Sequence, residues 1–192
     1  EATTREREER LIQEQAAIIR AASTDFLTGL NNRAVFDREL PLCLTRAARP
    51  KSYVALSLLD VDHFKKINDT HGHMAGDRVL QGVAKVLSGT VRTADVVVRY
   101  GGEEFAVISG HENAADAGVL AARMRKAVCQ EVFLYNDQGI SVTISIGVAI
   151  WHGNARTVSG AVMTEIADKA LYQAKRAGRN QVHVVSVQRT EI

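Results

Sequence analysis

The chain has 192 residues, 46% of them hydrophobic, and a net charge of only +2. This length fits one core with a short appendage, and 24 Lys and Arg against 22 Asp and Glu exclude the broad basic field of a nonspecific nucleic-acid binder. No apolar run nears the roughly 18 residues that span a bilayer, and no signal-peptide core is evident at the N-terminus; Cys43 and Cys129, far apart and without metal-type spacing, predict a reducing, cytoplasmic setting.

Glu1 to Ala22 contains no Gly or Pro and sets Leu11, Ile12, Ala16, Ile18, Ile19 and Ala22 at helical spacing. Leu11 and Ile18, and Ile12 and Ile19, are each seven apart, which permits a short coiled-coil seam between two copies. A charged helix beginning at residue 1 reads as the end of a longer signalling linker from an upstream sensor. The chain therefore divides into an N-terminal helix, 1–22, and a domain, 23–192. Ser23-Thr24-Asp25 supplies N-cap candidates, and 25–33 reads as a turn that hinges linker to domain before a helical run from Ala34 to Thr45.

Ser52 to Leu59 predicts a strand that runs into Asp60-Val61-Asp62-His63-Phe64-Lys65-Lys66-Ile67-Asn68-Asp69. Acidic residues at the end of a buried strand are costly unless paired or holding a cation. A hard cation such as Mg²⁺ wants oxygen ligands and phosphate partners, which Asp60 and one downstream Glu would suit. Thr70 to Asp77 reads as a loop, followed by a helix marked by Val79, Leu80, Val83, Ala84, Val86 and Leu87. His71 and His73 beside carboxylates would suit zinc only with a third ligand that the spacing does not supply.

Arg92-Thr93-Ala94-Asp95 precedes Val96 to Ile108, where Gly101-Gly102 between β-branched and aromatic runs predicts a tight hairpin with positive φ at its turn. Strand alternation then points Glu103 and Glu104 to opposite faces, so at most one meets a catalytic cleft. Taken alone, the pair also fits a solvated hairpin tip. Ala114 to Val128 is helical, and Val132 to Tyr135 and Ser141 to Ile150 read as strands, the second turning continuously apolar like a central strand. Val162, Ile166, Ala167, Ala170, Leu171 and Ala174 mark a final helix ending in Lys175-Arg176-Ala177-Gly178-Arg179-Asn180, cations followed by Gly, and Val182 to Val185 is the last strand. This order predicts an α+β domain with one mainly antiparallel sheet flanked by helices.

From Thr24 to Val185, these runs resemble the GGDEF family of diguanylate cyclases. The resemblance rests on Leu59 to Asp69, Gly72-His73, Gly76-Asp77, Arg99-Tyr100-Gly101-Gly102-Glu103-Glu104-Phe105, Ser145 to Ala149 and Ala174 to Asn180, all in the family's order. The hairpin is the Gly-Gly-Glu-Glu-Phe variant, and Phe26 stands where the family often has Pro. The resemblance implies a palm-like nucleotidyl-cyclase fold in which two protomers, each holding one GTP, face each other as a homodimer and make cyclic di-GMP and two pyrophosphates. It implies that Asp60, the Val61 carbonyl and Glu103 hold Mg²⁺ or Mn²⁺, with Glu103 also the base for the ribose 3′-hydroxyl. Lys175 and Arg179 would clamp the outer phosphates, which backbone amides around His63, Phe64 and Lys65 would cradle.

The Asn68 amide oxygen and the acceptor-only Asp77 would receive the guanine N1–H and N2–H donors, and adenine would leave the carboxylate unsatisfied at roughly 1–3 kcal/mol. His73 is similar to a residue at the substrate. Arg92 and Asp95, with Arg123 from the following helix, resemble the family's product-inhibition site for cyclic di-GMP. Two rivals remain open from sequence: a catalytically silent module that binds cyclic di-GMP, and a zinc hydrolase built on His71 and His73.

Overall fold

Strand β1 (Tyr53–Val61) owes its near-continuous apolar run to burial on both faces. Val54, Leu56 and Leu58 enter one core, and Ala55, Leu59 and Val61 enter another on the far side of the sheet. The computed structural model describes residues 7, 10–12, 22–48, 52–153 and 157–187. Around β1, in chain order, it has α1 (Arg33–Arg46), α2 (Phe64–His71), α3 (His73–Thr90), β2 (Val96–Gly101), β3 (Glu104–His111), α4 (Ala114–Gln130), β4 (Val132–Tyr135), β5 (Gln138–Ser141), β6 (Ile144–His152), α5 (Gly160–Arg176) and β7 (Val182–Ser186).

The main sheet has the order β2-β3-β1-β6-β7, antiparallel except for the parallel pair β6–β7. Helices α3 and α4 close one core, and α1 and α5 the other. Each fully buried Leu, Ile or Val contributes about 1.5–3 kcal/mol, so β1 and β6, buried on both sides, are the stiffest places on which to mount a site. The α+β architecture expected from sequence is the one observed.

Several local expectations are corrected. The stretch from Thr70 to Asp77 is not a loop: α2 and α3 are separated only by Gly72, whose φ of 85° is open to glycine at little cost. Ser141 to Ile150 is not one strand, because Gln138–Ser141 pairs with β4 in a separate two-stranded sheet and β6 starts at Ile144. The left-handed hairpin turn sits there too, at Asn136 (φ 47°) and Asp137 (φ 60°). The Gly101-Gly102 hairpin does form, yet neither glycine lies in the left-handed region. A register shift between Arg99 and Gly101 supplies the twist instead.

At the N-terminal side, Asn32 and not Ser23, Thr24 or Asp25 caps α1, accepting from Val35 N. Asp25 instead accepts from Thr28 N (2.9 Å) and Thr28 Oγ1 (2.6 Å) and pairs with Arg99 at 3.1 Å. The expected hinge is therefore fastened to β2, with Asn31 Nδ2 donating to the Val97 carbonyl at 3.0 Å. Of the predicted N-terminal helix, Arg7 and Arg10–Ile12 are helical and Leu11 and Ile12 exposed. Ala16, Ile18 and Ile19, and with them the expected seam, lie outside the described residues. No described helix is long and apolar enough to cross a membrane.

Candidate active site

The ladders that flank β1 set Asp60 opposite Glu104 on one side and Ser145 on the other. The β2–β3 hairpin folds over the same strand end, so that Val61 N donates to the Glu103 carbonyl at 3.3 Å. Asp60 is only 7% exposed. A buried carboxylate needs a partner, and Lys175 from the last turn of α5 provides one, its Nζ 2.8 Å from Asp60 Oδ2.

Burial pushes the Asp60 carboxyl above its ordinary range, Lys175 opposes the rise, and the Asp62 charge adds to it. Glu103 is raised in the same way, by burial first and by the Asp60 charge second, with Lys175 again opposing. Two half-dry carboxylates, one of them raised by the charge of the other, would be stabilised by a divalent cation between them. Asp60, Glu103 and the Val61 carbonyl are hard oxygen donors, a set that fits Mg²⁺ or Mn²⁺. Among the described residues no group of three or more His, Cys, Asp or Glu is arranged to hold an ion. His71 and His73 are thus not gathered with a third side-chain ligand, and a cation at Asp60 would draw further oxygens from backbone and substrate.

Next to this carboxylate pair, α2 begins with no side-chain cap, after His63 at φ 57°. The first amides of a helix have no intrahelical partner, and here they lie beside exposed Lys65. Arg179, just past α5 and at φ 62°, contributes its charge to the surroundings of Asp60. One turn into α2, Asn68 presents a buried Oδ1 that has no hydrogen-bond partner. That oxygen lies against Gly76, where any Cβ would overlap it, and Gly76 directly precedes half-buried Asp77. Asn68 on α2 and Asp77 on α3 are thereby brought near one another in the fold, with exposed His73 at the start of α3.

Arg92 and Asp95 lie at the other end of β2. They close a turn, Arg92 N donating to Asp95 Oδ2 at 2.9 Å and Asp95 N to the Arg92 carbonyl at 3.0 Å. Arg123 Nη2 donates to the Thr90 carbonyl at 2.7 Å, which draws α4 to the same corner. His111 also belongs there, a residue that no sequence signal singled out. Its Nε2 is 2.8 Å from Ser109 Oγ, and burial lowers its pKa, with nearby Asp95 opposing and Arg92 adding to the drop.

A cavity of about 600 Å³ lies beside the hairpin, lined by residues that include Phe36, Leu40, Tyr100 and Glu104. None of Asp60, Glu103, Lys175 or Arg179 lines it. Glu103 interacts with Asp60 while Glu104 borders this cavity, so the two adjacent carboxylates have different surroundings.

The sequence profile of the diguanylate cyclase GGDEF domain matches residues 22–181. Diguanylate cyclase DgcP of Pseudomonas aeruginosa is 41% identical over 163 residues, 85% of this chain and 24% of that protein. Diguanylate cyclase A of Treponema denticola is 39% identical over 168 residues, 86% of this chain and 45% of that protein. The chain thus spans less than half the length of these relatives. Among solved structures, the coiled coil and GGDEF domain of DgcB from Caulobacter crescentus, in complex with c-di-GMP, superposes with a TM-score of 0.87 at 35% identity, covering 96% of both chains.

Proposed function

The chain belongs to the family of GGDEF diguanylate cyclase domains, and we propose that it joins two GTP into cyclic di-GMP, releasing two pyrophosphates. The observation that carries this reading is the buried Asp60–Lys175 pair at the end of β1, with Glu103 brought against it by the hairpin. Such an arrangement is electrostatically costly in isolation and suited to a metal triphosphate. In each half-reaction a ribose 3′-oxygen bonds to the α-phosphorus of the other GTP, and the bond to pyrophosphate breaks. Because one domain holds one GTP, two copies must face each other.

Asp60, Glu103 and the Val61 carbonyl hold the cation. Mg²⁺ or Mn²⁺, when bound, neutralises charge on the α-phosphate and the departing pyrophosphate. Glu103 takes the 3′-hydroxyl proton, a task helped by a carboxyl that burial raises above its ordinary range. Lys175 and Arg179 bind the outer phosphates, and the uncapped start of α2 at His63, Phe64 and Lys65 supplies amide donors. Asn68 Oδ1, buried without a partner, and Asp77 accept from the guanine edge. His73, exposed at the start of α3, borders the substrate.

The product site is read at Arg92, Asp95 and Arg123. Support comes from the convergence of these residues on one corner and from the c-di-GMP complex of the DgcB domain. An Arg can stack on guanine and grip phosphate while Asp receives the base edge. The N-terminal helix would pair the two copies. Incubation with GTP and Mg²⁺, followed by chromatography, is expected to yield cyclic di-GMP and pyrophosphate. Product binding without turnover would instead establish the silent binding module.

A further inference from the structure

Past Arg176, where α5 ends, the chain runs through Gly178, Arg179 and Asn180 at φ of 115°, 62° and 47°. Arg179 carries a side chain in a region that favours glycine, so its surroundings must hold it there, while Asn180 is of a type that tolerates that region and is fixed in it by its partners. Arg179 N donates to the Ala174 carbonyl at 3.1 Å, which ties it to the helix. Asn180 is gripped from two other elements. Its N donates to Asp62 Oδ2 at 3.0 Å, while Arg125 Nη1 donates to its Oδ1 at 2.8 Å and to its carbonyl at 3.3 Å. Its Nδ2 lies 3.9 Å from Cys129 Sγ.

Asp62 is 4% exposed and also accepts from Thr143 Oγ1 at 2.6 Å and Ser145 Oγ at 2.7 Å. Three donors fill this carboxylate, whereas Asp60 is paired with Lys175. One strand end thus delivers two carboxylates with different work: Asp60 faces the reaction, and Asp62 fastens the segment bearing Arg179. Neither Asp62 nor Arg125 has a role in the site assignments above.

We infer that Asp62 and Arg125 are positioning residues, which hold Asn180 in its left-handed conformation and thereby aim Arg179 at the outer phosphates. This rests on the reading of Arg179 as a phosphate ligand. If Asn180 is released, Arg179 keeps only the ties to the Ala174 carbonyl and from Gln181 Nε2, and its guanidinium is no longer aimed at the outer phosphates. Lys175, inside the helix and paired with Asp60, stays. The loss should therefore be confined to the phosphate tail of the nucleotide and spare the base.

Calorimetry of the full chain would compare GMP with a GTP analogue carrying a methylene bridge between the α- and β-phosphates, which cannot release pyrophosphate. Arg125→Leu is expected to weaken the triphosphate analogue about tenfold, to leave GMP binding unchanged and to keep the melting temperature. Arg125→Lys, which can still reach the Asn180 side chain, should restore most of the affinity. Asp62→Asn should repeat the Arg125→Leu pattern; if it fails to fold, Arg125→Leu decides alone. Equal losses for both nucleotides, or no loss, overturn the inference. Arg179→Ala separates the two layers: if it weakens the triphosphate analogue and Arg125→Leu does not, only the positioning role falls. If Arg179→Ala also leaves the analogue unaffected, the phosphate reading and this inference fall together.

Discussion

The two ends of strand β2 carry charge in opposite ways. At the Gly101 end, Asp60 and Asp62 are buried, Lys175 closes on Asp60 at 2.8 Å, and the partners come from β1, the hairpin and α5. At the Val96 end, roughly 20 Å away by strand rise, Arg92 is exposed and its tie to Asp95 is a local turn of four residues. The first end is held in place by the fold, with Lys175 offsetting part of the cost of burying Asp60. The second rests on short-range contacts and exposed charges, with Arg123 anchored on the Thr90 carbonyl. A rigid, dry end suits bond-making, and a solvated end suits reversible control.

The sharpest way to break this contrast is Glu103→Gln, which keeps shape but removes an anionic ligand and a base. Its kcat is expected to fall about 10²- to 10⁴-fold while GTP still binds. Wild-type turnover in that variant, measured by product chromatography, would remove Glu103 from the chemistry. Asp77→Ser comes next. Loss of a matched acceptor should lower the GTP-to-ATP ratio of kcat/KM by roughly 10- to 100-fold, and an unchanged ratio would take Asp77 out of the base pocket.

The solvated end predicts a smaller and qualitatively different effect. Arg92→Ala should leave the initial rate intact while product accumulates beyond the level at which the wild-type progress curve flattens. A plateau at the same product level would reduce Arg92 and Asp95 to a surface turn. The smallest effect is on stability. Asp60 is raised in the folded state, chiefly by burial, so folding is favoured while it is protonated and that contribution is lost as pH rises through its folded pKa. Asp60→Asn should therefore melt higher than wild type at neutral pH, and the gap should close in acid, as read by calorimetric scans at several pH values. Asp25 behaves oppositely: burial pushes it up, but Thr28 and Arg99 outweigh that and hold it low, so its contribution is lost as pH falls. Because both proteins keep Asp25, it cancels from the comparison.

The elements legible in sequence are those whose signal repeats. The run through β1, the helical spacing of Val79 to Leu87 within α3, and the periodic apolar face of α5 each extend over enough residues to reveal their period. Helix α2 was not legible because its eight residues bury only Phe64, and one apolar anchor defines no period. The split between β5 and β6 was hidden for a related reason, since β-branched residues continue across a break that only strand pairing creates. At Gly101-Gly102 the composition pointed to a left-handed turn, but the bulge at Tyr100 met the twist requirement with ordinary backbone angles.

By itself, the order of residues determined the α+β class, the hairpin, the helices of regular period and the short acidic, glycine and cationic runs that mark the candidate site. All of these depend on near neighbours along the chain. Tertiary structure alone decided which carboxylate pairs with Lys175 and which is filled by neutral donors: Asp62 and Asn180 meet across 118 residues, and Asp25 and Arg99 across 74. It also left Asn68 Oδ1 without a partner against Gly76. Hydrogen-bond satisfaction and desolvation depend on what surrounds a group in space, and only closure of the sheet and its two helical layers brings those surroundings together.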